Sequence, residues 1–130
     1  MPINPLTGVK TTITEFLDDL EKIVFTEPAE RADLIFVRFF FEKMDPETLM
    51  RHVIGSVLPH KSQISLRDTT FFLERKKEIF AGLPADRVDY FASLIDQPEH
   101  AGGLSTENRD IVWKYFDILV LLAEKYKKNK

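Results

Sequence analysis

Residues 105–130, STENRDIVWKYFDILVLLAEKYKKNK, constrain the fold more than any other part of the chain. They read as one long helix, capped by Ser105 or Thr106 and ending in lysines that suit the negative end of the helix dipole. One apolar stripe is Ile111, Tyr115, Ile118 and Leu122, and a second is Val112, Phe116, Leu119, Ala123 and Tyr126. Trp113 and Val120 flank them, and Leu121 interrupts the narrow polar strip of Asp110, Lys114, Asp117, Glu124, Lys125 and Lys128. A helix apolar on most sides is either central to a fold or covered by a partner.

Proline punctuates the rest. Residues 1–11 carry Pro2, Pro5 and Gly8 and read as an extended N-terminal arm, leaving residues 12–130 as a single helical domain. Thr12 with Glu15 matches a capping box, and Ile13, Phe16, Leu17, Leu20, Ile23 and Val24 follow at helical spacing up to about Thr26. Pro28 suits the first turn of a second helix, roughly residues 29–43. Its middle, LIFVRFFF (34–41), has the β-branched and aromatic content of a strand. The flanking AERAD and EKM, and the lack of any second strand to pair with, favour helix. Consecutive residues step about 100° around a helix. Phe39, Phe40 and Phe41 therefore span a wide arc, and this helix is expected to be buried on more than one side.

Asp45-Pro46 is a cap followed by a first-turn proline, opening a third helix through Leu49, Met50, Val53 and Val57. HKSQIS reads as a loop. Ser65 or Asp68 opens a fourth helix with Phe71, Phe72, Ile79 and Phe80 inward, closed by Gly82. Pro84 opens a fifth, with Val88, Phe91, Ala92 and Ile95 on one face, and QPEHAGG (97–103) is a flexible loop before the last helix. The expectation is an all-α fold: one compact bundle of about six helices around a long, largely buried C-terminal helix.

A chain of 130 residues is one domain by size, and 44% apolar with 30% charged residues is ordinary for a globular protein. The eleven phenylalanines demand a dry place; Phe16, Phe39, Phe91 and Phe116 are the expected core rings. With no cysteine there is no disulfide, thiolate chemistry or Cys-based zinc site, which fits an intracellular setting in cytoplasm or nucleus. A net charge of -3 gives no global basic field to draw nucleic acid. The start, MPINPLTGVK, lacks the long apolar core of a signal peptide, and the apolar run 118–123 falls far short of the roughly 20 residues that span a bilayer.

No cofactor, metal or catalytic residue is assigned. His52, His60 and His100 are too far apart for a ligand spacing such as i and i+4. Asp18, Asp19 and Glu21, like Asp86 and Asp89, read as solvated helix faces. Arg38, the only charge between Leu34 and Phe41, is expected to snorkel from the helix edge rather than sit buried against a carboxylate. There is no G-x-S-x-G and no phosphate-cradling glycine loop.

The run DIVWKYFDILVLLAEKYKK (110–128), in which Ile-Val-Trp-Lys-Tyr opens a final apolar helix, resembles the C-terminal segment of small helical proteins of large DNA viruses. The resemblance implies a small non-enzymatic viral or host-interacting protein and assigns no functional residue.

Excess apolar surface on two helices, with no catalytic constellation, points to a non-enzymatic protein–protein interaction or assembly protein, with a protein partner that includes a homo-oligomer among the options. Trp113, Val120 and Leu121 are the interface candidates, with the N-terminal arm as a second one. One alternative is a nucleic-acid-associated helical protein whose phosphate contacts are Lys76, Lys77, Lys125, Lys127 and Lys128. Another is a small enzyme with an inter-helix pocket around His52 and Arg38.

Overall fold

The structure is a computed structural model that describes residues 4–79 and 85–128. Among the described residues seven α-helices run in chain order: α1 (Pro5–Ile23), α2 (Pro28–Lys43), α3 (Pro46–Ser56), α4 (Lys61–Ser65), α5 (Thr69–Ile79), α6 (Ala85–Asp96) and α7 (Thr106–Lys128). Short 3-10 turns, Leu58–His60 and Glu99–Ala101, precede α4 and α7. α4 is little more than one turn, so six substantial helices form the all-α bundle and α7 is the longest. Among the described residues there is no strand, and residues 34–41 are helical.

The first helix begins earlier than its sequence pattern implied. Asn4 is the cap: its Oδ1 accepts from the Leu6 N–H at 3.0 Å, and Pro5 supplies the preset φ of a first turn. Residues 5–11 are thus the first turns of α1, not an extended arm. Val9 is fully buried, and Thr12 lies buried inside the helix rather than at its cap. Residues 1–3 lie outside the described residues. HKSQIS is likewise helical: it holds α4, whose Ile64 is buried.

α1 and α7 pack along each other, with α3 against both and α2 against α1. Phe16 is the hub. Its ring stacks on Tyr115 at 4.8 Å and meets Phe116 edge-on at 5.8 Å and Phe91 edge-on at 6.5 Å. Phe16, Phe91 and Phe116 are buried as expected; Phe39 is not. α7 buries Val112, Trp113, Phe116, Leu119, Val120, Leu122 and Ala123, which makes it the central helix its composition demanded.

Asp68 opens α5, its Oδ1 accepting from the Thr70 N–H at 3.0 Å. The side chains of Phe71, Phe72 and Ile79, and all of Phe80, Gly82 and Pro84, lie outside the described residues. In α6, Val88, Phe91, Ala92 and Ile95 are buried, as their spacing predicts. The segment between α6 and α7 is specified rather than loose. Arg109 donates to the carbonyl of Ile95, to that of Gln97 at 2.7 Å and to that of Leu104 at 3.1 Å. Gly102 has φ 95°, and a Cβ on Gly103 would sit 1.9 Å from the Gln97 carbonyl oxygen, so both positions favour glycine.

Candidate interaction surface

α2 is held on three sides and open on the fourth. Leu34 and Val37 are its buried residues. On the side facing α1, Arg38 donates to Asp18 and the Arg31 Nε donates to Glu21 Oε1 at 3.1 Å. Positions 18 and 21 ascend α1 while 38 and 31 descend α2, so the two helices run antiparallel. From α6, the Arg87 Nε donates to Asp33 Oδ2 at 3.0 Å, and its Nη1 lies 3.5 Å from Glu30 Oε2. These contacts flank the buried stripe and fix the rotation of α2 about its axis.

That rotation turns the opposite stripe to solvent: Ala29, Ala32, Phe36, Phe39 and Lys43, at spacings of three and four, with Phe40 and Ile35 beside it. Phe36 is 75% exposed, Phe39 55%, Phe40 53% and Ile35 47%. The expectation that this helix is buried on more than one side is overturned. Its ring-rich face gathers four of the exposed large apolar side chains among the described residues. Phe36, Phe39, Phe40, Lys43 and Met44 line an open apolar depression there. The Lys43 ammonium sits 4.3 Å from the centre of the Phe39 ring, a cation–π contact. The Lys10 ammonium donates to the Met44 carbonyl at 3.3 Å and ties the end of α2 back to α1.

The candidates on α7 fare differently. Trp113 and Val120 are buried in the core, so they offer no contact surface; their positions face the packed side of the helix. Leu121 is 51% exposed. It shares a stripe with Asp117 and Glu124 and lies between two ion pairs to the α4 region. Arg67 grips Asp117 with bonds of 2.8 and 2.6 Å, and Lys61 bonds Glu124 at 2.7 Å. The arginine also lies 5.6 Å from the Trp113 ring. The contiguous patch expected from Trp113, Val120 and Leu121 is therefore absent. The second contact candidate, the arm, is largely built into α1.

Asp18, Asp19 and Glu21 are not a solvated face. Asp18 takes Arg38, Glu21 takes Arg31, and Asp19 accepts from the Tyr115 hydroxyl. Arg38 is half-buried and carboxylate-paired rather than merely snorkelling. Desolvation first, then the bond to Asp19, pushes the Tyr115 hydroxyl pKa well above its ordinary value. Asp86 and Asp89 are exposed on α6. His52 lies in α3, while His60 and His100 lie in the two 3-10 turns. No group of three potential metal ligands comes together among the described residues. Lys125, Lys127 and Lys128 are exposed on the last turn of α7; Lys76 and Lys77 lie in α5, their side chains outside the described residues. No helix is long and apolar enough to cross a membrane among the described residues.

Sequence reasoning missed Ile35, Phe36, Phe39 and Phe40 as surface residues. A signal for them was present: 29, 32, 36, 39 and 43 form a second stripe opposite Leu34, Val37 and Phe41. Comparison with protein-family models, curated proteins and solved structures found no match.

Proposed function

We propose that this chain is a non-enzymatic helical module that works through protein–protein contact, and that the contact is made by the outer face of α2. The observation that carries this reading is the exposure of Ile35, Phe36, Phe39 and Phe40 on successive turns of one helix. Contiguous apolar patches of this kind on folded proteins mark interaction sites. Fully burying one phenylalanine side chain is worth about 1.5–3 kcal/mol, so three rings supply a substantial drive to association. Aromatic residues are also the side chains enriched at interface cores. The surrounding ion pairs, Arg38–Asp18 and Arg87–Asp33, keep the face rigid, which lowers the ordering cost of binding. The resemblance of residues 110–128 to small helical viral proteins points the same way.

The test is Phe36→Glu with Phe40→Glu, assayed by affinity capture from the source cell and by circular dichroism. The double variant is expected to keep the wild-type helical spectrum and lose the protein it binds. Retention of every captured protein by a folded double variant contradicts the reading.

A further inference from the structure

The exposed stripe of α2 has a gradient along it. Its N-terminal half presents the small residues Ala29 and Ala32, and its C-terminal half the rings Phe36 and Phe39. Its charges are graded too: exposed Glu27 precedes it and exposed Lys43 ends it. The spacing 29, 32, 36, 39, 43 alternates three and four, the seam of two helices packed side by side. A stripe small at one end and large at the other, preceded by an acid and ended by a base, is complementary to itself turned end for end. We propose that the occupant of this face is a second copy of the same chain, docked through an antiparallel α2–α2 contact about a two-fold axis. In that register Phe36 and Phe39 of one copy lie over Ala32 and Ala29 of the other, twice by symmetry. Lys43 of each copy comes alongside Glu27 of the other. A two-fold contact requires this self-complementarity. A parallel pairing would instead stack ring on ring and leave Ala29 and Ala32 facing each other across a gap, with like charges together.

The proposal rests on the reading of α2 as a protein contact, and the experiment separates the two. Light scattering over a concentration series should give wild-type chain a mass rising toward twice the 15.1 kDa of one copy. Ala32→Glu, which removes no ring and is exposed in the single copy, should hold the mass at one copy with an unchanged helical signal. Orientation is read from a spin label on Lys43→Cys, unambiguous because the chain has no other cysteine. At 1.5 Å rise per residue the antiparallel register separates the two labels by about 27 Å, whereas a parallel pair brings them within about 15 Å. A one-copy mass for wild type at every concentration overturns the proposal, as does the short label distance. If that one-copy chain still loses a captured protein through Phe36→Glu with Phe40→Glu, the contact reading stands with a different occupant. If it loses none, both fall.

Discussion

α2 and α7 pose the same problem and solve it in opposite ways. Each carries apolar residues around more of its circumference than a surface helix needs. α7 resolves most of the excess inside the molecule, leaving only Ile118 and Leu121 among its large apolar residues exposed: α1 and α3 cover one side, and α4 with Arg67 closes part of another. α2 lies on the outside of α1 with Leu34 and Val37 buried and Phe41 packed against the core, while Phe36, Phe39 and Phe40 face outward. The difference teaches that apolar arc measures how much surface a helix must hide, not who hides it. A helix central in the packing order hides its surface within its own chain. A helix at the periphery, with the same arc, leaves a face for something else.

Deleting a ring from each helix should break the symmetry of composition most sharply. Phe116→Ala on α7 is expected to cost about 3–5 kcal/mol in chemical denaturation, through lost transfer energy and the cavity left behind. A loss below about 1 kcal/mol would remove α7 from the centre of the account.

Next in size is Arg109→Ala. Three carbonyls at the join of α6 and α7 would lose their donor, and unfolding should become easier by about 1–3 kcal/mol. An unchanged midpoint in urea would mean that solvent replaces those bonds freely.

Tyr115 sharpens the α1–α7 side of the comparison through pH. Its folded pKa lies above the unfolded value of 10, because the partly buried, Asp19-bonded hydroxyl resists ionisation. Above about pH 10 the unfolded chain therefore binds fewer protons than the folded one, and stability falls as pH rises. Below that pH the contribution is fully present. Tyr115→Phe should flatten the decline in an alkaline melting series. An equally steep decline in the variant assigns it elsewhere.

The smallest effect on the fold should come from α2. Asp18→Asn, which weakens a partly exposed ion pair, should cost no more than about 1 kcal/mol. Phe36→Ala should move stability by less than about 0.5 kcal/mol, since its ring touches mostly water. Thermal melts of the two variants beside Phe116→Ala would order the three.

Helix periodicity made the bundle legible, because each of the longer helices has a stripe that repeats every three or four residues, and a first-turn proline marks the starts of α1, α2 and α3. Where the reading erred, the local signal had two meanings. Asn4-Pro5 is the same cap-and-proline signature as Asp45-Pro46, but Pro2 and Gly8 around it also spell an extended arm. Thr12 has a capping hydroxyl yet lies inside α1, buried among apolar neighbours. α4 is too short to show a period, and Ile64 is its only buried anchor. Arg67, at φ 56°, takes a left-handed conformation that nothing in its residue type announces. On α7, Trp113 and Val120 flank the apolar stripes and turn to the core, while Leu121, about 100° round from Val120 in the polar strip, stays half-exposed; which flank the neighbouring helices cover is not written in α7 itself. The same holds for α2. Three consecutive phenylalanines span about 200°, so one burial surface cannot take them all, but which rings remain outside depends on where α1 and α6 lie.

The most direct test of the contrast is the thermal melt of Phe36→Glu with Phe40→Glu, followed by circular dichroism at a concentration low enough to exclude association. The account predicts a helical spectrum like that of wild type and a melting temperature within about 2 °C of it, because both substitutions place carboxylates where solvent already is. A drop of ten degrees or more, or loss of the helical signal, would show that the outer face of α2 is part of the core and would contradict the account.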